Sequence, residues 1–294
     1  MIRGLALLLG IGIGLAIASP TSSLAQGEAD SQPSAKSPAA PWSAAKPGLA
    51  EGVKTRGRLV VHVYVPLCDN DQIVCGSTKA GDPDDLDNNL YWGAVFGHRR
   101  FFGRSASGFD RIALEKGEGV LLQRAVFRRS FDGKPWDRKD AIDLYVVLDA
   151  IRGDAIDDAV DRFFKEAETG GSASFEEEGR TRTLEVDVVG YAGHNGMMDG
   201  KEPPKKSAKQ RPIPSFVMAC RSSQYFAKPL ADRGSETLLM TRDLMAPEGY
   251  VVHAIATSLA QNTSKNELRA RTVRAYATWQ KIEDRVAGSI FAKP

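Results

Sequence analysis

Two hydrophobic runs in the second half of the chain each stop abruptly at a reactive side chain, and no other feature narrows the fold as much. The first, Leu184 to Gly193 (LEVDVVGYAG), delivers His194 in the string GHNG. The second, Pro214 to Ala219 (PSFVMA), delivers Cys220 in ACRS. Each has the length and the β-branched or aromatic content of a buried strand. A polar insert rich in Lys and Pro, Asp199 to Arg211, lies between them. If the two strands are parallel neighbours, their carboxyl ends share one crevice, where open α/β sheets bind ligands. An imidazole and a thiol in that crevice would make a base and its nucleophile.

The rest of the chain supplies partners for such a sheet. Arg58 to Val65 (RLVVHVYV) reads as a first strand stopped by Pro66, and Gly119 to Phe127 and Asp143 to Leu148 as further strands. Asn88 to Phe102 carries apolar residues at helical spacing, with Gly93 and Gly97 weakening the pattern. Asp154 to Glu168 places Ile156, Val160, Phe163, Phe164 and Ala167 on one helical face, and Gly170-Gly171 stops it. A strand over Glu236 to Thr241, a helix from Pro247 to about Leu259 and a long helix from Glu267 to Val286 follow. This alternation predicts an α/β fold, three layers with a mostly parallel sheet and helices on both faces.

Residues 1–25 read as a secretory signal: Arg3, an apolar core from Gly4 to Ala18, and the small-residue pattern Ser23-Leu24-Ala25. An uncleaved anchor is the alternative. Residues 26–56, rich in Ala, Pro, Ser and Lys, read as a disordered tether, and residues 57–294 as the folded domain. The expected location is periplasmic or secreted. No later segment approaches the ~18 apolar residues of a span. A formal net charge of +2 without a basic stripe does not indicate nucleic acid as a partner. Export would set the three cysteines in an oxidising compartment. A Cys68–Cys75 bridge would leave Cys220 free, whereas a Cys68–Cys220 bridge would remove the thiol.

At His194 and Cys220 the chain resembles the caspase-like cysteine peptidases, the group of caspases, legumain, gingipains and separase. Their shared pattern is an apolar strand ending in His-Gly and another ending in Ala-Cys, here Gly193-His194-Asn195-Gly196 and Ala219-Cys220-Arg221-Ser222. The resemblance implies a caspase-like fold, Cys220 as nucleophile, His194 as proton carrier, a peptide or protein substrate and no cofactor. It departs from the family where Asn195 replaces the glycine after histidine. The spacing from His194 to Cys220 is also shorter than the roughly 50 residues of caspases. The segment CDN…NNLYWGAVFG also resembles a group of bacterial exported proteins without an assigned activity.

Each candidate has a plainer reading. Cys220 at a strand end is also what a small buried hydrophobe looks like. His194 could be a loop histidine held by a hydrogen bond, and Asn195 and Gly196 plain turn residues rather than oxyanion donors. Asp69, after the first strand, would suit a basic substrate side chain or be a solvated loop acid. The acids Asp82, Asp84, Asp85 and Asp87 lack the glycine and distal Glu of a calcium loop. His194 with Asp199 gives no complete metal-ligand set. His62 and His253 read as structural, and Tyr91, Trp92 and Phe96 as core. Two function classes follow: an exported cysteine peptidase-like amide hydrolase, and a non-catalytic periplasmic binding or scaffold protein on the same fold.

Overall fold

The computed structural model describes residues 39–294; the expected signal segment 1–25 and residues 26–38 lie outside them. Within the described residues, regular structure is present before the expected boundary at residue 57. Trp42–Ala45 forms a 3-10 turn, and Pro47–Arg56 forms helix α1, opened by a proline and closed by Gly57 at φ 65°. Trp42 is only 1% exposed and donates its indole N–H to Leu259 O at 3.0 Å. The disordered-tether expectation is therefore corrected for residues 39–56. Composition averaged over the segment hides one large aromatic anchor.

β1 (Arg58–Pro66) is the central strand, buried from Leu59 onward because helices cover both of its faces, Leu59, Val61, Val63 and Val65 on one and Val60, His62 and Tyr64 on the other. After a long connection come α2 (His98–Phe102), β2 (Asp110–Lys116), β3 (Leu121–Phe131) and β4 (Ile142–Ile151). Then follow α3 (Ile156–Thr169), the separate hairpin β5 (Ser172–Glu177) and β6 (Arg180–Glu185), and β7 (Val188–Ala192). β8 (Ser215–Met218), α4 (Ser222–Ala231), β9 (Thr237–Leu239), α5 (Gly249–Ala260), α6 (Lys265–Gln280) and α7 (Asp284–Ile290) complete the chain. The sheet runs β2-β3-β4-β1-β7-β8-β9; β4, β1, β7, β8 and β9 are mutually parallel, and β2 and β3 join antiparallel at one edge. One apolar cluster lies between the sheet and α5 and α6, the other between the sheet and α3 and α4. The protein is thus α/β with a seven-stranded, mostly parallel sheet, compatible with three layers. Among the described residues no helix is long and apolar enough to cross a membrane.

Three local expectations change. The run Leu184 to Gly193 is not one strand: Leu184 and Glu185 end β6, and β7 starts at Val188. Between them Asp187 turns its carboxylate inward, accepting from Val60 N–H at 2.9 Å and from Arg56 at 2.5 Å. Residues 88–97 form turns, and the helix is confined to α2. A Cβ on Gly93 would sit 2.3 Å from Leu86 O, and one on Gly97 2.4 Å from Trp92 C, so each glycine is needed for a close backbone approach. The last long helix breaks at Lys281, φ 55°, which separates α6 from α7.

A buried ionic network joins four elements beneath α3. His62 on β1 bonds Glu166 on α3 at 2.8 Å and Asp149 on β4 at 3.0 Å, and Arg124 on β3 grips Asp149 through Nε and Nη2, both at 2.7 Å. His62 therefore has the structural role expected of a mid-strand histidine. It is a charged one, not a neutral core ring. Burial alone would lower its pKa, but the Glu166 and Asp149 carboxylates outweigh that and raise it to about 9.

Candidate functional site

β7 and β8 pair in parallel with Ala192 opposite Met218, so His194 and Cys220 each lie two residues beyond the last paired position. Gly193 N–H to Met218 O, at 3.1 Å, extends the ladder by one step. The next contact is made by a side chain. Asn195 donates its amide to Cys220 O at 2.6 Å, tying the loop after β7 to the turn after β8. The two strand-end turns predicted to be neighbours are neighbours.

The loop after β7 is built to hold His194. The Tyr191 hydroxyl donates to His194 O at 2.7 Å, and the His194 side chain is 7% exposed. Asn195 is fully buried, and its Oδ1 accepts from Met198 N–H. Asp199 N–H and Lys201 N–H both donate to Gly196 O, and Lys201 Nζ meets Asp161 of α3 at 2.9 Å. The imidazole Nε2 lies 2.5 Å from Asp199 Oδ2. From the sequence Asp199 stands out only as a metal partner for His194. The available signal was a carboxylate five positions after a histidine across a glycine-bearing turn. Among the described residues no group of three or more His, Cys, Asp or Glu side chains is placed to hold a metal ion.

Cys220 is unbridged and partly exposed, because the disulfide joins Cys68 to Cys75. Its Sγ is 3.4 Å from Met245 N and 3.6 Å from Met245 O. Among the described residues no hydrogen bond joins Sγ to the His194 ring. Arg221, next in the chain, has φ 50° and ψ 32°, the left-handed region that a bulky residue enters at a cost of order 1 kcal/mol. That turn redirects the chain into α4 straight after the thiol. Tyr91 and Tyr276 stand within electrostatic reach of both Cys220 and Glu248. Burial first, and then these neighbouring charges, raise both phenol pKa values. Glu248 is itself raised by burial, with Gln280 at 3.2 Å as a hydrogen-bond donor.

Oxyanion donors were expected at Asn195 and Gly196. The Asn195 side-chain amide is occupied by Cys220 O. The main-chain N–H groups of Asn195, Gly196 and Cys220 have no acceptor among the described residues. Asp69 is not the solvated acid of the plainer reading: it is 5% exposed and its Oδ1 accepts from Asp71 N–H at 2.9 Å. Its Cβ neighbours Gly153, just past β4, on the side of β1 away from β7, and no hydrogen bond or ion pair links it to His194 or Cys220.

The long connection after β1 is held by the disulfide and by Asn89. The Asn89 side chain accepts from Cys68 N–H at 3.0 Å and donates to Cys68 O at 2.8 Å. Replacing both bridged cysteines with serine is expected to lower unfolding free energy by about 2 kcal/mol, as for a short closed loop. Urea titration of the double variant checks this; an unchanged midpoint would show that Asn89 suffices. Compared with family models, curated proteins and solved structures, the chain matches none of them.

Proposed function

We propose that this chain is an exported cysteine peptidase-like amide hydrolase with a caspase-like fold, using His194 and Cys220. The observation that carries the reading is the β7–β8 register together with the Asn195–Cys220 link, which brings imidazole and thiol to adjacent strand ends. In the reaction His194 takes the thiol proton, and the Cys220 thiolate attacks the substrate carbonyl carbon. The tetrahedral oxyanion is met by the unpaired N–H groups of Gly196 and Cys220. His194 then gives its proton to the leaving amine as the C–N bond breaks. Water hydrolyses the thioester, releasing a carboxylic acid and restoring the thiol.

The second reading, a non-catalytic binding or scaffold protein, is favoured by one feature. Sγ is engaged by the main chain of Met245 and not by the imidazole. Alkylation of Cys220 by iodoacetamide at neutral pH separates the two. For the hydrolase, His194→Ala slows alkylation by roughly tenfold to a hundredfold while circular dichroism is unchanged. Equal slow rates in both proteins favour the scaffold.

A further inference from the structure

The loop that carries Asp199 does not need the Asp199 side chain to keep its shape. Met198 N–H bonds Asn195 O, Asp199 and Lys201 N–H bond Gly196 O, and Lys201 pairs with Asp161 on α3. A Cβ on Gly196 would lie only 3.3 Å from Ile156, so the loop also rests on that helix. Asp199 is half exposed and free to point into solvent, yet its carboxylate is aimed at a ring that is 7% exposed. As a stabilising contact such a half-exposed pair is worth little; what it does determine is which ring nitrogen carries the proton.

Resting on the His194–Cys220 reading, we infer that Asp199 is the positioning residue of that pair, and that its carboxylate fixes the His194 tautomer. With Oδ2 accepting from Nε2–H, the ring proton sits on Nε2 and the lone pair is left on Nδ1. The unpaired nitrogen is then the one that takes the Cys220 proton. When it does, the imidazolium keeps its Nε2–H on Asp199, and the carboxylate gains no proton. The charged or titratable groups around this arrangement are Asp157 and Asp161 on α3, Lys201 on the loop, Tyr191 on β7, Tyr91 in the connection after β1, Glu248 before α5, Tyr276 on α6 and the thiol itself.

The test is the pH–rate profile of Cys220 alkylation by iodoacetamide in the intact chain, for the unaltered protein, Asp199→Asn, Asp199→Glu and His194→Ala. The amide is expected to cut the neutral-pH rate roughly tenfold and to diminish the His194-dependent limb of the profile. Asp199→Glu is expected to restore a substantial part of it. If Asp199→Asn superimposes on the unaltered protein while His194→Ala does not, the assignment to Asp199 fails and the dyad stands. If His194→Ala also superimposes, the dyad itself falls and the assignment with it. Nitrogen-15 shifts of the His194 ring in the unaltered protein give a readout that no variant's folding can spoil. Neutral imidazole protonated on Nε2 is expected, and protonation on Nδ1 overturns the inference.

Discussion

Asp149→Ala is expected to lower the free energy of unfolding by about 3–5 kcal/mol, the loss typical when one member of a buried ion pair is deleted. Asp149 is 2% exposed and is the shared acceptor of Arg124 and His62. Burial by itself would raise its pKa, but the charges and hydrogen bonds of His62 and Arg124 hold it well below the usual carboxylate range. Alanine would leave two cations in an apolar layer with only Glu166 near His62. The same network predicts a pH effect of definite sign. His62 titrates near 6.5 when unfolded and at about 9 when folded, so the folded state holds the extra proton between those values. Its contribution is complete below pH 6.5 and is lost as pH rises through 9, a fall of roughly 3 kcal/mol. Chemical unfolding at intervals from pH 6 to 10 measures it. A stability that does not fall over this range, or falls equally in His62→Gln, would place the charge elsewhere. Because Glu166 lies on α3, weakening the network also loosens the helix against which Gly196 and Lys201 rest.

What the sequence disclosed about the fold follows the strength of its periodicities. β1, β4 and α3 bury almost every apolar residue they carry, and each was legible to within a few residues. The β5–β6 hairpin was not, since its residues are mostly polar and only Ala173, Phe175 and Leu184 are buried. It takes Leu184 and Glu185, the first two residues of the run that otherwise leads into β7 of the central sheet. α4 is not legible either: its apolar repeat is short, and Pro229, which has no N–H to donate, stands inside it. Asn88 to Phe102 shows the opposite error. Apolar residues at helical intervals there are buried by turns, because Gly93 and Gly97 bring backbone segments closer than a helix would.

Of the site, positions were legible and contacts were not. A hydrophobic strand that ends in a reactive residue announces that the residue lies at the carboxyl end of that strand. It does not announce which groups complete the hydrogen bonds. Asn195 reads equally as a turn residue and as an oxyanion donor through side chain or main chain, and nothing in the string GHNG says that its side-chain amide holds Cys220 O. Asp69 is singled out by its place after β1 and by the resemblance, and neither indicates that its Oδ1 accepts from Asp71 N–H within its own turn. Asp199, Met245 and Tyr91 reach the site from loops, where no period constrains them, and Tyr276 reaches it from α6, whose period marks a buried face and not what that face touches.

Trp42→Ala is expected to cost about 3–5 kcal/mol, because it empties a large buried aromatic site. The indole does more than fill space. Its N–H serves Leu259 O, which Asn262 N–H also reaches, and Trp136 serves Ala260 O at 2.6 Å, so the two rings help satisfy the carbonyls at the carboxyl end of α5. The rings meet edge to face at 5.9 Å, and a double-mutant cycle with Trp136→Ala is expected to show coupling of about 0.5–1.5 kcal/mol. The opposite end of α5 begins beside Met245 and Glu248, next to Cys220. If the helix behaves as a rigid rod, the loss at its carboxyl end lowers the unfolding midpoint and leaves Cys220 alkylation in the folded protein unchanged. A shifted alkylation rate with little loss of stability would mean that α5 moves as a lever, transmitting the state of its Trp42 anchor to the thiol at its other end.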